Sequence, residues 1–303
     1  MGSILTHNIN NIEFKTCGAM IFAGCSFTWG QGLWSYYPTK WYVPKCWEYT
    51  AEGAPIPPAA EEFKEDNRYP GLVSKEFHAK QIVKKTNGGT DDESLRFIEQ
   101  VRTNVVDKHN MLVTNTDWEE IHTIIIQTTD SYRSPFLFEY KNQKYEIYSS
   151  PGYQFLTSLV KVKFEDNVLI HEEQPNFDIF IDWLIDNNLT VDDFQRIHVK
   201  KMMDRIEEAF KNLEKEGKKV LLLSWTNCYL EEIKKRNYFD DKFVKLNYLD
   251  QEFDSIHDLM QKYKYFIIDY DDEVIHDSGG DAHPSLFCHQ IIANSIISKI
   301  KYG

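Results

Sequence analysis

Two short segments near opposite ends of this 303-residue chain hold the side chains best suited to covalent chemistry. Gly24-Cys25-Ser26-Phe27-Thr28-Trp29-Gly30 follows directly on the apolar run Ala19–Ala23. A serine at the carboxyl end of a buried parallel strand lies where α/β sheets place ligands. Glycines on both sides allow a tight strand-to-helix turn, and the free N–H groups of a helix starting there point toward developing negative charge. Asp281-Ala282-His283-Pro284 lies near the other end. A histidine held near a carboxylate is the general base that a weakly nucleophilic serine needs. Each segment also has a plainer reading, Ser26 as a helix cap and His283 as a turn residue before proline. A phosphate loop does not match, because its GxxxxGK[ST] spacing and its lysine are missing. His276, Asp277, Asp281 and His283 crowd together, but nothing else in the chain has matching ligand spacing, so no metal and no organic cofactor are expected.

The elements that must position these residues alternate in α/β fashion. Strands are expected at Ala19–Ala23, Gln81–Lys85, His122–Gln127, Lys219–Trp225 and Tyr265–Tyr270. Leu95, Ile98, Val101 and Val105 predict a helix from Asp92 to about Asp107. Val199, Met203, Ile206, Phe210 and Leu213 give one apolar face to a helix over about Val191–Glu216, with Gly217 placed to end it. A last helix is expected from about Pro284 to Ile300, with proline in its first turn. Two segments break the rhythm and read as insertions. Residues 34–67 are aromatic, Pro-rich and too irregular for a helix; residues 135–189 hold a hairpin candidate, FEYKNQKYEIY, and an acidic stretch. The chain is therefore expected to be a single domain over residues 1–303.

Composition narrows the partners. Thirty-four basic against 47 acidic side chains leave a net charge of −13, which repels nucleic-acid backbones and anionic lipid surfaces. Five cysteines without a CxxC pair argue against a disulfide framework and suit a reducing compartment. The N-terminus lacks a signal-peptide pattern, and no apolar run is long enough to span a membrane, so a cytoplasmic location is expected.

Taken together, GCSFTWGQGL and DAHPSLFCHQIIA resemble the opening and closing blocks of the SGNH/GDSL hydrolase superfamily. In that family a G-D-S-x-T-x-G-like block holds the nucleophile and D-x-x-H-P the base. Ser26 matches the nucleophile, Thr28 and Gly30 the positions after it, and His283 the base. Asn87-Gly88-Gly89 looks like the second block, which would make Gly89 an oxyanion donor. Gln127-Thr128-Thr129-Asp130 stands where the family has G-x-N-D, so Thr129 replaces the donor asparagine. Cys25 replaces the aspartate of the first block. The carboxylate of the closing block is one residue nearer the histidine than the family's, leaving Asp281, or Asp277, to orient His283.

The resemblance implies a flavodoxin-like three-layer α/β/α sandwich with a mostly parallel five-stranded sheet. It implies a serine esterase that works through an acyl-enzyme, with Ser26, His283 and Asp281 as triad and Ser26, Gly89 and Thr129 around the oxyanion. Asn87, Arg133, Trp29 and Trp34 are candidate substrate contacts. Aromatic side chains following Ser26 suit a carbohydrate ester, such as an O-acetyl sugar. An O-acyltransferase on the same scaffold, and an inactive carbohydrate-binding module, stay open at this point.

Overall fold

The computed structural model describes residues 18–30, 32–37, 58–84, 89–104, 116–149, 156–165, 168–174, 177–268 and 283–303. Strand β1 (Ala19–Ala23) leads into a one-turn helix α1 (Ser26–Trp29). Helices α2 (Pro58–Asn67) and α3 (Tyr69–Glu76) precede β2 (Lys80–Val83), and α4 (Asp91–Thr103) precedes β3 (Ile121–Thr128). Four strands follow: β4 (Phe136–Tyr140), β5 (Gln143–Ser149), β6 (Leu156–Glu165) and β7 (Val168–Gln174). Then come α5 (Asp178–Asp186), α6 (Val191–Lys215), β8 (Lys219–Ser224) and α7 (Leu230–Lys234). The short β9 (Leu246–Tyr248) and β10 (Gln251–Phe253), α8 (Ile256–Lys262) and α9 (Leu286–Tyr302) complete the order.

The central sheet runs β2-β1-β3-β8, and every pairing in it is parallel. Its apolar residues alternate between two helical layers, as period-2 side chains must. Met20, Phe22, Ile125 and Leu221 pack with Tyr69 and Val73 of α3 and with Ile292 and Ile296 of α9. Ala19, Ile21, Ile124, Ile126 and Leu222 pack with Phe97 and Ile98 of α4 and with Val199, Met203, Ile206 and Phe210 of α6. This is a three-layer α/β/α arrangement. Reciprocal capping boxes, Thr90 with Glu93 and Thr190 with Asp193, start the two helices of the second layer. Gly217 follows α6 at φ +78°, the left-handed conformation that ends helices.

Four parallel strands are present among the described residues, not five. The described part of the expected strand Tyr265–Tyr270 is a 3₁₀ turn, Lys264–Phe266, followed by Ile267, which bridges Pro284 antiparallel. The place beside β8 is taken instead by Phe243, in a single parallel bridge to Leu222. Pro284 sits in its bridge rather than in a helical turn, and Ser285 caps α9 by accepting from the Cys288 N–H.

The insertions also differ from expectation. Residues 58–67 of the first are helical, with Pro58 at the position where a helix tolerates proline; residues 38–57 lie outside the described ones. The second holds the expected hairpin as β4 and β5, which β6 and β7 extend into a four-stranded antiparallel sheet, β4-β5-β6-β7. Lys141 and Asn142, both at positive φ, make the two-residue turn between β4 and β5. Phe136, Phe138, Tyr145 and Ile147 of that sheet form a core with Phe180 and Leu184 of α5 and Phe194 of α6. No helix among the described residues is long and apolar enough to cross a membrane.

Candidate active site

Strand β1 delivers the chain to Gly24, and an extended Cys25 precedes α1, so Ser26 is the first helical residue. Gly30 closes the turn at φ +78°, its N–H donating to the Ser26 carbonyl at 3.0 Å. A Cβ on Gly24 would lie 2.0 Å from Thr28 Oγ1 and 3.1 Å from Gln127 Cβ, so this packing requires a glycine. Buried hydrogen bonds hold the turn against β3. Thr28 Oγ1 donates to Gln127 Oε1 at 3.0 Å and accepts from the Tyr69 hydroxyl at 2.9 Å. Gln127 Nε2 donates to Cys25 Sγ at 3.3 Å. One glutamine therefore grips residues on both sides of Ser26. Burial pushes the Cys25 thiol up, which keeps it protonated and a poor nucleophile.

His283 comes from the opposite end of the chain. Its carbonyl accepts from Ile268 N–H at 3.0 Å and Ser285 N–H donates to Phe266 at 2.7 Å, so two backbone bonds fix the residues on either side of Pro284. Its Nε2 lies 2.9 Å from Ser26 Oγ, and the hydroxyl donates when the imidazole carries its proton on Nδ1. The imidazole centroid lies 4.7 Å from the Phe27 ring, which stacks at 3.6 Å on Trp225. Burial first, and the Arg133 charge second, push His283 down to about 3. At neutral pH the ring is uncharged.

Gly89 is buried just ahead of Thr90, the cap of α4. Thr129 follows β3; its N–H donates to Asp91 Oδ1 at 2.8 Å, while its Oγ1 is buried without a hydrogen-bond partner among the described residues. Arg133 ends a 3₁₀ turn, Ser131–Arg133, with Nε 3.9 Å from the Asp130 carboxylate. Trp29 has the buried Lys64 ammonium 4.3 Å from its ring centroid, and its carbonyl accepts from Arg68 Nη1, so one face of this candidate substrate contact is occupied by protein. Trp34 lies in the 3₁₀ turn Leu33–Tyr36. Asp281, Asp277 and Asn87 lie outside the described residues. Among the described residues no cluster of three metal-ligating side chains occurs.

Several residues that shape the site were not singled out in sequence. Gln127 interrupts an isoleucine run at the end of β3, a polar residue where burial was expected, and that contrast is a usable signal. Asp91, Tyr69 and Tyr229 carry no such signal, because an acidic first turn and scattered tyrosines are ordinary. Their importance comes from distant partners. His289 of α9 is buried and accepts from the Tyr69 N–H at 3.1 Å.

No protein-family model matches this sequence, and no curated protein does either. Among solved structures, a carbohydrate esterase whose active site is described as displaying divergent catalytic and non-catalytic binding functions is similar to this chain at 14% identity, with a TM-score of 0.42. The match covers 95% of this chain and 66% of that one, so the chain spans just under two thirds of its length.

Proposed function

We propose that this chain is a serine esterase of SGNH/GDSL type that cleaves a small or carbohydrate ester. The observation that carries this reading is the 2.9 Å contact between Ser26 Oγ and His283 Nε2, two residues 257 positions apart. Ser26 attacks the ester carbonyl carbon as its proton passes to His283. The tetrahedral oxyanion is received by the N–H groups of Ser26 and Gly89 and by the Thr129 hydroxyl, donors that stabilise charge as it forms. Asp281 orients the imidazole through Nδ1. The imidazolium then protonates the departing alcohol, and water, deprotonated by the same ring, hydrolyses the acyl-enzyme. A chain folded as one domain with two insertions goes with this reading.

Two further observations support it. The Phe27 ring beside the imidazole and the Ile268 N–H bond to the His283 carbonyl hold the histidine next to Ser26, and the protonated Cys25 leaves Ser26 as the nucleophile in this turn. The test is labelling with a fluorophosphonate probe. The wild-type chain should be labelled and Ser26→Ala should not; a folded wild type that stays unlabelled refutes the assignment.

A further inference from the structure

Asp91 carries a buried carboxylate that the mechanism above does not use. As the first residue of α4 it resembles an ordinary helix-start acid. That role is already filled, since Thr90 accepts from the Glu93 N–H and the Glu93 side chain accepts from the Thr90 N–H. Asp91 turns away from its own helix instead. Oδ1 accepts from the Thr129 N–H at 2.8 Å, and Oδ2 accepts from the Tyr229 hydroxyl at 2.7 Å. Its partners follow β3 and β8, so one carboxylate ties together the carboxyl ends of three parallel-strand units, two residues after Gly89.

The consequence falls on Thr129. Both of its backbone polar groups are engaged, the N–H by Asp91 and the carbonyl by Cys228 Sγ at 3.7 Å. Its remaining donor is Oγ1, which is buried and has no partner among the described residues. We propose that Asp91 is a positioning residue that holds the backbone of Thr129 so that its hydroxyl, not its N–H, faces the developing oxyanion. This rests on the esterase reading. Burial pushes the Asp91 carboxyl up to about 6, so keeping an ionised group there costs stability. A costly group held by two good hydrogen bonds is better explained by geometry than by folding.

The test uses the full chain with p-nitrophenyl acetate as substrate. Asp91→Ala should lower kcat by about 10- to 100-fold with little change in KM, the range between a misplaced and a missing oxyanion donor. Asp91→Asn retains an oxygen acceptor for the Thr129 N–H and should keep kcat within about 3-fold of wild type. Adding Thr129→Ala to Asp91→Ala should cost nothing beyond the larger single loss, because residues acting as one unit are not additive. If Asp91→Ala does not fold, Asp91→Glu, with its carboxylate displaced by one methylene, should show the same drop and the same non-additivity with Thr129→Ala. Additive losses, or wild-type kcat in a folded Asp91→Ala, overturn the positioning role alone. A wild-type chain that neither takes the fluorophosphonate nor hydrolyses the ester overturns the esterase reading and this inference with it.

Discussion

The Gly24→Ala substitution adds one methyl group, and the structure sets what it meets. The new Cβ would lie 2.0 Å from Thr28 Oγ1 and 3.0 Å from Thr28 Cβ, well inside van der Waals contact. Thr28 cannot step aside cheaply, because its hydroxyl joins Tyr69 to Gln127 inside the protein. Displacing it breaks two buried hydrogen bonds, about 1 kcal/mol each, and adds an overpacking cost of about 1–3 kcal/mol. The expected destabilisation is therefore about 3–5 kcal/mol. The strain also falls on the one-turn helix that carries Ser26, where a shift near 1 Å costs on the order of 10²-fold in rate. Urea unfolding of Gly24→Ala, Thr28→Ala and the double variant measures this directly. Removing the Thr28 hydroxyl makes room, so the double variant should lose at least about 1 kcal/mol less than the sum of the singles. Strictly additive losses, or a Gly24→Ala protein as stable as wild type, would refute the steric account.

Two other predictions address the histidines. His283→Ala should reduce esterase turnover toward the roughly 10⁶-fold loss typical of a missing base, whereas Thr129→Ala should cost only about 10²–10³-fold; comparable losses would make Thr129 a principal donor. His283 and His289 are both held near about 3 in the folded chain, mainly by burial, against about 6.5 when unfolded. Between those values the unfolded chain binds more protons, so their stabilisation is complete above about pH 6.5 and is lost as pH falls toward 3. His289→Gln removes one of these linkages. Denaturation at about pH 6.5 and about pH 5 should show the variant losing about 2 kcal/mol less than wild type over that interval, and an equal loss would count against the buried neutral histidine.

The scaffold was legible because its apolar runs are dense. Ala19–Ala23 is a strand with the bounds its sequence suggests, and the periodic face from Val199 to Leu213 is a helix from Val191 to Lys215. Failures came where local chemistry has two meanings. Pro58 reads as a breaker after a Pro-rich run, yet it opens α2. Residues 156–174 are charged enough to pass for an acidic loop, although the alternation Val160-Lys161-Val162-Lys163 belongs to a strand. Tyr265–Ile268 is apolar like a strand, but its hydrogen bonds go to the residues around Pro284 rather than to the sheet. The site divides similarly. Ser26 and His283 were visible as residue types and meet in space, whereas Gln127 and Asp91 act through partners 38 to 138 positions away that no local pattern encodes.

The sheet pairings also differ in how far along the chain their partners lie. In the second insertion, a two-residue turn joins β4 to β5, and β6 and β7 pair in sequence beside them. Such local pairings close quickly, because little chain entropy is lost before contacts form. Neighbours in the central sheet, such as Ile21 with Ile124 and Ile124 with Val220, must instead find each other across roughly a hundred intervening residues. The Ser26–His283 pair closes a span more than twice as long. During synthesis Ser26 therefore emerges well before His283. A nascent chain can thus pair its antiparallel strands before the Ser26–His283 contact is able to form.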